Sequence, residues 1–175
     1  MTATSRIRPN SVRLFIALWP TAQTRRALRQ CADAWSWSSS ASRVPPDRWH
    51  ITLHFLGSVP RLRLPALALG LKLPMRPFTL SLDRIDMWPK GVAVLRPQRL
   101  PLALRQLHAG LGRALRRLGL RTEARDFRPH VTLARRAGGS TPPARVPRVS
   151  WRSQGYVLVE SRRAPSVRYR VLRRY

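Results

Sequence analysis

The sequence predicts an α+β protein in which helices pack on antiparallel sheets. Three observations carry that prediction. Short runs rich in β-branched and aromatic residues alternate with amphipathic helical stretches along the chain. Within residues 49–56 (WHITLHFL), positions 49–55 alternate between apolar and polar. A tetrapeptide pattern occurs once in each half of the chain, at residues 50–53 and 130–133.

The elements follow in order. Residues 1–11 are polar and basic and read as a flexible arm ahead of a single domain spanning 12–172. Residues 12–18 (VRLFIAL) read as a strand, stopped by Pro20-Thr21, where a helix over 22–35 begins with Ala27, Leu28 and Cys31 on its apolar face. The serine-rich stretch 36–42 is a loop. Residues 49–56 form a half-buried strand ended by Gly57, with Trp49, Ile51, Leu53 and Phe55 inward and His50, Thr52 and His54 on the open face. Residues 61–73 are leucine-rich but broken by Pro65 and Gly70, which predicts at most a short, stunted helix. Two strands, 78–85 and 91–95, flank a turn at Pro89-Lys90-Gly91. Residues 102–118 are the clearest helix, striped by Leu104, Leu107, Leu111, Leu115 and Leu118, with Gly119 just past its end. A strand follows at 130–134, then a proline- and glycine-rich loop at 136–147, then closing strands at 156–160 and 167–172.

Composition sets the function classes. With 34 Lys and Arg against 7 Asp and Glu, the formal net charge is +27, a field that favours polyanions such as nucleic acid, acidic membrane surfaces or phosphorylated metabolites. Only Lys72 and Lys90 are lysines, a bias that suits phosphate binding and equally fits an arginine-rich genome. Cys31 is the single cysteine, which excludes an intramolecular disulfide framework and a multi-cysteine zinc site. No run approaches the roughly 18 apolar residues of a membrane span. The expectation is a cytoplasmic monomer with no membrane partner.

The doubled motif carries the chemistry. His50-Ile51-Thr52-Leu53 and His130-Val131-Thr132-Leu133 share the order His, β-branched, Thr, Leu. On a strand the His and Thr of each copy project to one face while the apolar residues anchor the other. Two such strands brought together would present two imidazoles and two hydroxyls to one cleft. Phosphodiester cleavage without metal needs a base for the attacking oxygen and an acid for the leaving one, and histidine can be either near neutral pH. Threonine hydroxyls can donate to the non-bridging oxygens, where charge grows. Asp47 and Asp126 read as loop or cap residues, and His50 with His54 lacks the acidic or cysteine ligands a metal site would need.

These residues resemble the two-histidine phosphoesterase superfamily, and within it the bacterial RNA 2′,3′-cyclic phosphodiesterases also called 2′-5′ RNA ligases. The likeness includes the opening RLFIAL at 13–18, HITLHFLG at 50–57, RPHVTLAR at 128–135 and the closing LVES at 158–161. It implies a bilobal fold with two antiparallel sheets related by a pseudo-two-fold, helices outside and a V-shaped cleft between. It implies metal-independent opening of a 2′,3′-cyclic phosphate to a 2′-phosphomonoester, with no cofactor, on RNA ends or cyclic nucleotides. By motif position, His50 matches the proton donor and His130 the proton acceptor, while Thr52, Thr132 and Arg135 match phosphate contacts. Simple alternation would turn Arg135 away from His130, so its role requires the strand to end or bulge there.

Other residues have plainer readings. His54 is expected to face solvent beside His50, His108 to be a surface or boundary residue beside the leucine stripe of the 102–118 helix, and Phe55 to be buried. Trp35 and Trp37, beside the serine loop, are candidates for base stacking. The competing function is a basic RNA-binding module without catalysis, which would need no matched pair of imidazoles.

Overall fold

A computed structural model describes residues 10–162 and 168–175; most of the predicted basic arm, and Val167 of the closing strand, lie outside them. The elements run β1 (Ser11–Leu18), α1 (Ala22–Asp33), β2 (Ser42–Arg43), β3 (Ile51–Pro60), α2 (Leu64–Gly70), β4 (Phe78–Leu82), β5 (Arg84–Trp88) and β6 (Val92–Arg96). They continue with α3 (Leu102–Arg117), β7 (Val131–Arg135), β8 (Val149–Ser153), β9 (Val157–Arg162) and β10 (Arg168–Arg174). Two four-stranded antiparallel sheets result, ordered β10-β9-β1-β3 and β2-β7-β6-β5, with a separate β4-β8 ladder. The motif strands β3 and β7 therefore belong to different sheets.

The α+β class and antiparallel sheets are as the sequence predicts, with two revisions. The single strand read at 78–85 divides at Asp83, so that β4 leaves to pair with β8 while β5 pairs with β6. Strand β8 was hidden behind the proline-rich loop, although Val149, Trp151 and Ser153 alternate inward with Ser150 and Arg152 outward. The stunted helix is real: α2 has seven residues after a 3₁₀ turn at Arg61–Arg63.

One core joins the elements. Leu104, Leu107, Leu111 and Leu115 of α3, Leu28 and Cys31 of α1, and Leu14, Ile16 and Leu18 of β1 are buried together. Burial also pushes the Cys31 thiol up to about 11, so it behaves as a small apolar side chain. Phe15, Ala17, Val157 and Val159 form a second cluster on the opposite face of the first sheet, the face toward the motif histidines.

The short link after α2 is held by one side chain. The buried Tyr156 hydroxyl donates to the Leu71 carbonyl at 2.7 Å and accepts from the Leu73 amide at 2.8 Å. The turn between β5 and β6 is held by Gly91, whose φ is +68° and whose absent Cβ would lie 2.8 Å from the Gly138 amide. Its carbonyl accepts from Ala137 at 2.8 Å, which ties the β5–β6 turn to the chain leaving β7.

Candidate active site

The two histidines enter the site by the same local route. Each precedes its strand by one residue, and each Nδ1 lies 2.7 Å from the carbonyl two residues back, Arg48 for His50 and Arg128 for His130. A carbonyl can only accept, so Nδ1 carries the proton in both rings and Nε2 is the free nitrogen of the neutral form. The repeated unit is thus Arg-X-His-X-Thr-Leu, longer than the tetrapeptide, and the repeated feature of the arginine is its backbone oxygen.

A second shared feature lies in the ladders. In β3 the register passes from Thr52↔Ala17 to His54↔Ile16, and in β7 from Thr132↔Val94 to Ala134↔Ala93. Each strand therefore bulges at its motif leucine, Leu53 or Leu133. A bulge inserts one unpaired residue and reverses the facing of everything after it. In β7 that reversal brings Arg135 back to the side of His130 and Thr132, as a phosphate contact requires. In β3 it corrects two expectations. His54 turns inward opposite Ile16 and is 6% exposed, and its Nε2 donates to the His108 carbonyl at 2.9 Å. Phe55 turns outward opposite Phe15 into the cleft and is only half-buried. Nor does β3 end at Gly57, which at φ +72° carries the strand through a second irregularity to Pro60.

One cleft of about 590 Å³ collects His50, His130, Thr52, Thr132 and Arg135. Arg43, Arg48 and Arg125 also line it, so with Arg135 four arginines border the cleft, the Arg43 guanidinium being paired with Asp33. Glu123 is the carboxylate among the lining residues, and it is engaged by both Nε and Nη2 of Arg125, at 3.1 and 2.9 Å. Phe15, Phe55 and Tyr169 supply an aromatic wall on the His50 side. Among the described residues no group of three or more His, Cys, Asp or Glu is placed to hold a metal ion.

The sequence reading missed the rings around the histidines. His50 packs against Phe15 at 4.8 Å, Tyr169 at 5.2 Å and Trp19, nearly parallel, at 5.9 Å between centroids. Trp88 lies 4.3 Å from His130. No spacing rule links positions 15, 19, 88 and 169, although Phe15 belongs to the RLFIAL segment. Trp35, by contrast, is 6% exposed and stacked on Trp37 at 4.5 Å, which removes it as a base-stacking candidate. His108, midway along α3, is half-buried as a boundary residue, between His54 and Phe127 at 4.1 and 3.9 Å.

The aromatic walls set the electrostatics. Burial holds His50 down at about 4, opposed by the Arg48 carbonyl and reinforced by His130. Burial also lowers His130, opposed by the Arg128 carbonyl, with Arg125 and Arg135 pushing the same way as burial. At neutral pH the cleft therefore holds two neutral imidazoles within electrostatic reach of each other, bordered by arginines.

With this geometry in place, known proteins locate the family. The 2′-5′ RNA ligase superfamily profile matches residues 16–164. The chain belongs to that superfamily. An RNA 2′,3′-cyclic phosphodiesterase of Thermus thermophilus is 32% identical over 169 residues, which cover 88% of this chain and 84% of the relative. A second, from Geobacillus stearothermophilus, is 30% identical over 73% of this chain, which spans 43% of that longer relative. The crystal structure of E. coli LigT in apo form superposes with a TM-score of 0.80 at 29% identity, covering 95% of this chain and 98% of LigT. LigT has also been solved with 3′-AMP, and that structure matches with a TM-score of 0.79, 29% identity and 94% and 97% coverage.

Proposed function

We propose that this enzyme opens the 2′,3′-cyclic phosphate at an RNA end to a 2′-phosphomonoester, using His50 as acid and His130 as base and no metal ion. The broader class, 2′,3′-cyclic phosphodiesterase and 2′-5′ RNA ligase activity, is that of its family and of its curated relatives. The finer reading rests on one observation: two imidazoles, each held at Nδ1 by a carbonyl, share an arginine-lined cleft.

The chemistry follows from the hydrogen bonds. His130 takes a proton from water at Nε2 while its Nδ1–H stays on the Arg128 carbonyl, which favours the imidazolium that forms. Water attacks phosphorus in line, the P–O3′ bond breaks, and protonated His50 delivers its Nε2 proton to the departing O3′. Arg135 and the hydroxyls of Thr52 and Thr132 stabilise the charge gathering on the non-bridging oxygens. In the resting enzyme the Thr52 hydroxyl, 3.1 Å away, donates to the free Nε2 of His50.

The proton donor must be charged, yet burial by itself keeps His50 neutral. The gap between 6.5 and about 4 amounts to roughly 3 kcal/mol in favour of the neutral ring. A phosphate anion ~4 Å away, at an effective dielectric of about 20, contributes about 4 kcal/mol in the other direction. Substrate thus brings the pKa of its own acid back toward neutrality on arrival. After turnover His50 is neutral and His130 charged, and exchange with solvent resets the pair.

A second reading has its own observation. A hollow of about 640 Å³ opens on the His130 side, sharing Thr52 and His130 with the cleft and walled by Trp88, His108 and Phe127. That space exceeds what a water needs and accommodates a nucleoside, so an RNA 5′-hydroxyl could replace water as the nucleophile and give 2′-5′ ligation.

The test is product analysis by ³¹P NMR after incubating the protein and a chelator with RNA ending in a 2′,3′-cyclic phosphate. The expected product is the 2′-phosphomonoester. A 3′-phosphomonoester would refute the assigned leaving group, and an untouched cyclic end on tightly bound RNA would leave a binding module. Turnover restored only by added metal would refute the metal-free mechanism.

A further inference from the structure

On the His50 side of the molecule a second hollow, of about 520 Å³, is lined by Trp19, Pro20, Arg25, Arg26, Arg29 and Arg174 together with Thr21 and Ala22. Four guanidiniums surround it and no carboxylate lines it. Arg25 is fixed by the carbonyls of Pro46 and Pro20. Arg26, Arg29 and Arg174 are exposed and make no ion pair with any described residue. A half-buried Trp19 forms the partition: its indole stacks on His50 at 5.9 Å and also walls the hollow.

The reaction geometry says which end of the substrate lies here. In an in-line displacement the attacking water and the departing O3′ occupy opposite sides of phosphorus. His130 handles the water and His50 handles O3′, so the terminal ribose, which carries O3′, lies on the His50 side. The RNA chain continues from the 5′ carbon of that ribose and leaves on the same side. Trp19, stacked on His50, and the arginines beyond it lie on this side.

We propose that this hollow is a phosphate-backbone subsite that takes the linkages upstream of the reacting end, making single-stranded RNA rather than a cyclic mononucleotide the substrate class. This proposal rests on the phosphodiesterase reading. A flexible polyanion is held by guanidiniums that can each contact a phosphate oxygen pair, while an aromatic edge supports a base between them. Arg26, Arg29 and Arg174 do this work; Arg25 shapes the wall.

The test compares a 2′,3′-cyclic mononucleotide with a short single-stranded RNA ending in the same cyclic nucleotide. The variant is Arg26→Ala/Arg29→Ala/Arg174→Ala. Its charge-matched control is Arg76→Ala/Arg113→Ala/Arg117→Ala, which removes three arginines from the groove between α3 and the segment after α2. For the first triple variant KM on RNA should rise roughly tenfold or more. The slope of log KM against log salt should lose about 2, from ~0.7 per phosphate contact on a single strand. Kinetics on the mononucleotide, kcat on saturating RNA, and the control triple should all stay near wild type. RNA whose upstream linkages are neutral methylphosphonates should gain nothing over the mononucleotide.

Equal losses on RNA and mononucleotide, equal effects of the two triples, or an unchanged RNA KM would each overturn the subsite. Loss of wild-type turnover on both substrates would instead refute the phosphodiesterase reading. Fluorescence anisotropy with a 2′-phosphate-ended RNA still decides the subsite then, because it needs no turnover.

Discussion

Trp19→Ala should raise the pKa of His50. Three rings wall that imidazole, at 4.8, 5.2 and 5.9 Å, and its burial is the largest cause of its low value of about 4. The energy involved is at most roughly 3 kcal/mol, the distance from the ordinary 6.5. Trp19 is the outermost of the three, because it also faces the arginine hollow. Removing it returns water to one side of the ring and should recover about a third of that energy, ~1 kcal/mol, placing the transition at about 5. The assay is an NMR titration of the His50 ring in the folded protein, with and without inorganic phosphate. Phosphate should raise the value in both proteins, since an adjacent anion favours the imidazolium. The linked effect on stability has a definite sign. Folding lowers this pKa, so between pH 6.5 and 4 the unfolded chain binds more protons, and the stabilisation present above pH 6.5 is lost as pH falls through 4. His108, also lowered to about 4 chiefly by burial, acts in the same direction. A wild-type His50 that titrates at its ordinary value, or a Trp19→Ala protein in which it does not move upward, would refute the account of the site's electrostatics.

Other outcomes follow from the same geometry. Arg135→Ala should lower kcat/KM about 10- to 100-fold, the worth of a hydrogen bond to a charged group, and Arg135→Lys should recover part of it; equal losses would show that the planar fork is not used. Thr52→Val and Thr132→Val should each cost about tenfold in kcat with little change in melting temperature, measured side by side with wild type. Tyr156→Phe leaves the Leu71 carbonyl and Leu73 amide without their buried partner and should destabilise by about 1–3 kcal/mol in urea titration.

The parts of the site legible in the sequence were those that alternation and repetition encode. His50, Thr52, His130 and Thr132 line one cleft because in each copy the first two polar positions precede any irregularity. Arg135, His54 and Phe55 all lie beyond a bulge, where counting by twos gives the wrong face. The likeness to a family rescued Arg135, and nothing rescued the other two. A bulge is set by how two strands pair, and the partner strands Ala17-Ile16 and Val94-Ala93 lie far away in sequence. The aromatic surroundings of the histidines were illegible for the same reason. Trp19 directly follows β1 and Tyr169 lies on β10, and only sheet order carries them to His50. The division of residues 78–85 into β4 and β5 likewise depends on β8, which recruits the first half into another ladder.

The most direct measurement is turnover by His50→Ala and His130→Ala on two substrates, a cyclic-phosphate RNA and a nucleotide ester whose leaving group is nitrophenolate. Both variants should keep the wild-type melting temperature and lose ~10²–10⁴-fold on the RNA. On the nitrophenyl ester, which departs without a proton, His50→Ala should recover most of its rate and His130→Ala should not. Wild-type turnover of the RNA by either folded variant, or rescue of His130→Ala in place of His50→Ala, would contradict the paired acid and base.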